Sequence, residues 1–280
     1  MKLRLALPLA LTFAALAWAA SHSGRGELPP DAETAVARLN ASPRHGEWVE
    51  ISEGRGDSWS DEVHAWVTYP ERATRAPTVI VIHEIYGLTD WVRSVADQLA
   101  AEGFIAIAPD LLSGYGPDGR TPADPQAAVK LIRERRTEDV VRRLTSVARY
   151  ATSLPASNGK YGSIGFCWGG STSFQFAGNE DQLSAAVVYY GTSPDRKTLG
   201  RIQAPVLGLY GADDARVNTT IPDAARLMRQ LGKPFTPHLF DGAGHAFLRQ
   251  QSARKGANMT AAAQAWPLTI NFLRENLETR

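Results

Sequence analysis

Sulfur is scarce in this sequence and net charge nearly absent. The 280 residues include one cysteine, Cys167, and three methionines, and 30 basic side chains stand against 29 acidic ones. A single cysteine excludes an internal disulfide, so burial alone must hold the core. The even charge balance argues against nucleic acid or an anionic membrane as the main partner. There is no H-E-x-x-H and the six histidines are scattered, so neither a metal nor another cofactor is indicated. Repeats and low-complexity tracts are also missing.

The one extended apolar run lies at the start. Lys2 and Arg4 precede the apolar stretch Leu5–Leu16, and Ala17-Trp18-Ala19 offers the small residues a signal peptidase requires. Residues 1–19 are therefore expected to be a signal peptide, cut between Ala19 and Ala20. The run is short of the ~20 residues that span a bilayer, and no cysteine follows it to carry a lipid. The expectation is a periplasmic or secreted monomer with no membrane contact after cleavage. Losing Lys2 and Arg4 leaves 28 basic against 29 acidic residues in 261. An unpaired thiol in an exported protein is open to oxidation, which suggests that the chain uses it.

Residues 20–46 are polar and read as an N-terminal extension, with a short helix expected over Asp31–Leu39 after Pro29-Pro30. The alternating stretches Trp48–Ile51 and Val63–Tyr69, separated by the turn-rich Ser52–Ser60, predict an antiparallel hairpin. Beyond it, short apolar runs alternate with helical stretches. The runs are Thr78–His83, Phe104–Ala108, Tyr161–Phe166, Ser184–Tyr190, Pro205–Tyr210 and Thr236–Phe240. The helices are Asp90–Glu102, Ala127–Glu134, Glu138–Ser153, Ser171–Ala177, Ile221–Leu231 and one near Ala261–Leu277. This pattern predicts one α/β domain over residues 47–280, a mostly parallel twisted sheet with helices on both faces. Leu112–Pro125, rich in glycine and proline, is the one long irregular connection and a candidate lid or pocket rim.

Cys167 sits in Gly165-Phe166-Cys167-Trp168-Gly169, between an apolar strand and a helix. This is the form of a nucleophile elbow, G-x-S-x-G, with a thiol in place of the hydroxyl. A helix N-terminus beside Cys167 is expected to favour the thiolate. A glycine-rich turn also suits a buried structural cysteine, and the elbow alone leaves the two open. The later chain favours chemistry, because an acid and a histidine follow in the order a triad on this scaffold requires. Asp213 and Asp214 follow Pro205–Tyr210, and His245, after Gly244, follows Thr236–Phe240. The spacing G-x-x-D-x-x-V from Gly211 to Val217 selects Asp214 as the acid and leaves Asp213 to cap the loop or face solvent. A carboxylate at Glu84, directly after an apolar strand, needs a partner.

With these residues in view, the chain resembles the dienelactone hydrolase (carboxymethylenebutenolidase) family of the α/β-hydrolase fold over roughly residues 48–277. The matching residues are His83-Glu84-Ile85-Tyr86-Gly87-Leu88, Ala108-Pro109-Asp110-Leu111, the Cys167 turn, Tyr189-Tyr190-Gly191, the Asp214 loop and Gly244-His245-Ala246-Phe247. The resemblance implies a triad of Cys167, His245 and Asp214. It also implies a glutamate, Glu84, that pairs with the resting thiol and moves when substrate binds, and an oxyanion hole at the N–H groups of Ile85 and Trp168. Family members hold an acidic substrate with two arginines. Arg249 falls on one of these positions and Gly114 on the other, so a different lactone or an uncharged ester is the expected substrate. Trp168, Tyr115 and Trp91 are candidates to line its pocket.

The leading expectation is an exported hydrolase that cleaves a small lactone or ester through an acyl-enzyme. A broad carboxylesterase or thioesterase with the same triad is the alternative among enzymes. A binding protein that retains the pocket is opposed by the complete triad set, and a thiol redox sensor by the lack of a resolving cysteine.

Overall fold

The computed structural model describes residues 26–53, 62–116 and 119–278. The expected signal peptide and most of the turn between the hairpin strands lie outside the described residues. Eight strands form one sheet in the order β1-β2-β4-β3-β5-β6-β7-β8. β1 (Gly46–Ser52) and β2 (Glu62–Thr68) make the expected antiparallel hairpin, and β2 runs antiparallel to β4 (Ile105–Pro109). The remaining pairs are parallel, among β3 (Ala76–Ile82), β4, β5 (Ser157–Phe166), β6 (Ala186–Tyr189), β7 (Val206–Gly211) and β8 (Phe235–Phe240). Pro237 lies in β8, an edge strand, where a missing N–H costs no ladder bond and discourages further pairing.

Helices cover both faces, because the continuous apolar strands send alternate residues each way. Val79 and Val81 of β3 join a core closed by α2 (Asp90–Ala101) and by the final helix, Ala257–Leu277. Ile80 and Ile82 join the opposite core, under α4 (Thr137–Ser153) and α5 (Trp168–Ala177). α3 (Pro125–Arg133) precedes α4, and Asp124 caps it through the N–H groups of Gln126 and Ala127. α6 (Arg196–Arg201), α7 (Ala215–Asn218), α8 (Ile221–Gln230) and α9 (Ala257–Leu277) complete the chain.

Several boundaries differ from expectation. The first helix, α1, occupies Ala35–Ala41 rather than Asp31–Leu39, because residues 29–32 are spent on contacts with a later loop. α6 and α7, of six and four residues, are too short for a periodic signal.

Strand register sets the site. Ile82 pairs with Gly165, so Glu84 and Cys167, each two residues further on, emerge side by side at the carboxyl ends of neighbouring strands. Gly211 pairs with Phe240, and the loops beyond stay joined: Ala212 N–H donates to Phe240 O (2.9 Å) and Asp213 N–H to Ala243 O (3.0 Å). The Asp214 and His245 loops therefore leave the sheet together.

Candidate active site

Cys167 occupies the turn from β5 into α5 with φ 56° and ψ −114°, a left-handed backbone that ordinary side chains rarely adopt. Its N–H donates to Tyr189 O (3.1 Å) and its carbonyl accepts from Ser171 N–H (3.1 Å), so the turn is held from both sides. Gly165 and Gly169 are steric requirements. A Cβ on Gly165 would strike the carbonyl of Gly169, and one on Gly169 would strike the carbonyls of Ile82 and His83.

Asp214 and His245 are joined through a hydrogen bond of 2.5 Å between His245 Nδ1 and Asp214 Oδ2. Asp214 is buried at 7% exposure, whereas Asp213 turns outward to pair with Arg254 (2.6 Å). With Nδ1 committed to the carboxylate, Nε2 is the ring nitrogen left to exchange a proton. Cys167, His245, Glu84, Ile85 and Trp168 all line one cavity of about 700 Å³. No hydrogen bond joins the Cys167 sulfur to His245 among the described residues. The Trp168 N–H faces that sulfur, and among the described residues the Ile85 N–H donates to no protein group.

The expectation that the helix terminus favours a thiolate is corrected. Burial, then the neighbouring Glu84 charge, pushes the Cys167 thiol up to about 11, against weaker opposing effects of the Trp168 N–H and Arg216. One N–H dipole does not compensate for desolvation beside a carboxylate. Glu84 is itself displaced: burial lifts its carboxyl to about 7 although the Arg249 guanidinium pulls it down. Arg249 Nε lies 3.1 Å from Glu84 Oε2, and its guanidinium sits 5.2 Å from the Tyr86 ring centre.

His83 supports this wall from beneath. Fully buried, it donates from Nδ1 to Glu84 O (2.7 Å) and accepts at Nε2 from Leu111 N–H (3.2 Å), an arrangement that requires the neutral ring. Burial lowers its pKa in the same sense. Its ring also stacks on Trp168 with centroids 5.5 Å apart.

Three expected positions lie elsewhere. Trp91 is buried under the N-terminal segment, donating to Pro30 O (3.0 Å) with its ring edge against Phe166. It fills core and does not line the cavity. Tyr115 carries the Arg135 guanidinium at 3.5 Å from its ring centre, away from the cavity. None of the described residues of the connection over 112–125 lines the cavity either. Asp110 ties it down by accepting from Thr121 N–H and Oγ1–H (both 2.7 Å), and Gly114 N–H donates to Gly119 O (3.0 Å).

The structure also adds residues. Arg133 of α3 and Arg216 of α7 line the cavity with Arg249, and neither has an anionic partner among the described residues. Short helices and a distant connection deliver them, so no motif marked them. Tyr190, within the quoted Tyr189-Tyr190-Gly191, has φ 40° and is fully buried. Its ring meets His245 edge-on at 5.1 Å, and burial keeps its hydroxyl protonated. A second hollow of about 280 Å³ adjoins the cavity and shares Trp168, Ser171 and Thr192 with it.

This fold, with an elbow, an acid and a histidine at successive strand ends, defines an α/β-hydrolase. The family model "Dienelactone hydrolase family" matches residues 63–277, and the chain belongs to that family. It is accordingly a hydrolase acting on carboxylic ester bonds. The carboxymethylenebutenolidase of Pseudomonas putida is 32% identical over 221 residues, covering 75% of this chain and 89% of its own. A dienelactone hydrolase-like promiscuous phosphotriesterase from metagenomic libraries superposes with TM-score 0.70 at 25% identity, covering 84% of this chain and 99% of its own. The dienelactone hydrolase of Anabaena variabilis, at 20% identity, TM-score 0.63 and coverages of 84% and 99%, shows the fold alone.

Proposed function

We propose that this protein is an exported, cysteine-dependent hydrolase that opens a lactone or ester through a Cys167–His245–Asp214 triad and a thioester intermediate. The observation that carries this reading is the shared cavity: Cys167 at its strained turn and His245, held by Asp214, face the same space.

The resting thiol is protonated. When a carbonyl carbon settles against Cys167, His245 Nε2 takes the thiol proton while sulfur bonds to the carbonyl carbon. The carbonyl electrons move onto oxygen, where the N–H groups of Ile85 and Trp168 receive the charge. Collapse breaks the bond to the ring or alkoxy oxygen, which leaves with the proton from His245. Water then gives a proton to His245 and attacks the thioester, and the product acid departs as the leaving sulfur takes that proton from His245, which restores the resting thiol. Asp214 holds the ring in one tautomer and steadies the imidazolium. Glu84 neutralises Arg249 in the resting site and opposes premature thiolate formation.

Arg249, Arg133 and Arg216 around the cavity favour a substrate with its own acid group. Of the different lactone and the uncharged ester expected from Gly114, this favours the lactone. The adjoining hollow supports a second reading, a broader esterase that accepts a larger second substituent. Export rests on Lys2, Arg4 and the Leu5–Ala19 stretch. The mass of the protein recovered from culture fractions checks it, with a start at Ala20 expected.

The decisive test assays the mature protein on enol-lactones and p-nitrophenyl esters, with and without iodoacetamide. Alkylation is expected to abolish turnover. Full activity after complete alkylation of Cys167 would overturn the nucleophile assignment.

A further inference from the structure

The family match begins at residue 63, yet residues 26–53 ahead of it are built into the domain. Gly26 N–H donates to Glu102 Oε1 (2.5 Å), and further along Arg44 makes a two-point ion pair with Asp97, Nε to Oδ1 at 3.0 Å and Nη2 to Oδ2 at 2.6 Å. Both side chains of that pair are about 95% buried, at 5% and 4% exposure. Between these anchors Pro29 and Ala35 are buried, and Leu28 and Ala32 pack on the core that holds Trp91.

What this strap touches is the loop that follows His245. Ala32 N–H donates to Arg249 O (3.0 Å), Ser252 N–H donates to Asp31 Oδ2 (3.0 Å), and Gln251 Nε2 donates to Pro29 O (2.8 Å). Three residues of the loop, Arg249, Gln251 and Ser252, are thus held by three of the strap, Pro29, Asp31 and Ala32. The loop needs such support: Ala246, Arg254 and Lys255 all have left-handed φ of 51–60° without being glycine. Asn258, donating to Gln250 O (2.7 Å), and Asp213, paired with Arg254 (2.6 Å), are further side-chain anchors.

We propose that Pro29–Ala32 is a positioning element of the active site, fixing the backbone of Arg249–Ser252 and so the guanidinium that faces Glu84 and the cavity. The strap acts through Arg249 and touches no substrate. Its role rests on the reading of Arg249 as the partner of the substrate's acid group. A side chain as long as arginine selects an anion only if its backbone is held, since each loosened bond restores conformers that miss the target.

The test uses the full mature chain with Asp31→Ala, Asp31→Asn and Gln251→Met, each checked by thermal denaturation, on a carboxylate-bearing enol-lactone and a neutral p-nitrophenyl ester. Asp31→Ala and Gln251→Met are expected to raise KM for the acidic lactone about three- to tenfold, the worth of one hydrogen bond. kcat on the neutral ester stays unchanged, and Asp31→Asn, which keeps the acceptor, restores the parent KM. An unchanged acidic-to-neutral KM ratio in folded variants overturns the proposal. So does an equal loss on both substrates that follows a lowered melting temperature, since that marks a scaffold only. Arg249→Ala separates the two assignments. If it leaves the ratio unchanged, the role of Arg249 falls and the strap's falls with it; if it shifts the ratio and the strap variants do not, only the strap's role falls.

Discussion

The cavity has two unlike walls. One holds Cys167, Trp168, Ile85 and His245, all placed by backbone: a strained turn, a loop locked by His83, and a strand-end loop tied to Asp214. The other holds Arg133, Arg216 and Arg249, long side chains from α3, α7 and an irregular loop, of which Arg249 pairs with Glu84. Reacting groups must sit within a fraction of an ångström, and turn geometry at a sheet edge delivers that. A guanidinium attracts an anion across several ångströms, so charge recognition can be left to long side chains provided their backbone is held. Bond making is thus assigned to the rigid wall and substrate choice to the reaching one.

Substitutions can sharpen or break this division. Cys167→Ala is expected to cost the most, about 10⁴-fold or more in kcat, read by turnover of a p-nitrophenyl ester. Asp214→Asn follows at about 10³–10⁴-fold, whereas Asp213→Asn, on the outward carboxylate, leaves kcat within about twofold. Equal losses at the two aspartates would break the assignment of rigid support to Asp214. On the reaching wall, Arg249→Ala is expected to raise KM for an acidic lactone about tenfold, and Arg133→Ala or Arg216→Ala about two- to fivefold. Neutral esters should not respond. A parallel rise on neutral esters would show that the arginines shape the wall instead of reading charge.

The smallest effect concerns stability. Burial raises Glu84 in the folded protein to about 7 from an ordinary 4.5. Between these values the folded state binds a proton that the unfolded state has lost, so its contribution is fully present below about 4.5 and declines as pH rises through about 7. Glu84→Gln, which cannot ionise, is expected to raise Tm by a few degrees above pH 7, with the gain fading toward pH 4.5. Differential scanning calorimetry across pH 4.5–8 reads this, and a gain greatest at the acid end would contradict the sign.

Much of the rigid wall was legible in the residue order. A lone cysteine among glycines, the spacing from Gly211 to Val217 and the Gly244-His245 pair all lie within short segments whose geometry is local. The reaching wall was not. Trp91 and Tyr115 looked like pocket aromatics, and only packing shows one under the N-terminal strap and the other carrying Arg135. Arg133 and Arg216 carry no pattern, since a surface arginine on a helix looks the same wherever the helix points. The thiol's protonation escapes the sequence for the same reason. A helix terminus is visible in sequence, but desolvation and the approach of Glu84 are properties of neighbours distant along the chain.

By itself, the sequence determined the alternation of strands and helices, the elbow, and the order of nucleophile, acid and base, because apolar periodicity and glycine sterics act over a few residues. Tertiary structure alone decided that β3 pairs with β5, which sets Glu84 beside Cys167, and that residues 29–32 clasp the loop bearing Arg249. It also decided that three arginines share one cavity. These are long-range facts: they depend on strand register, burial and the meeting of distant segments.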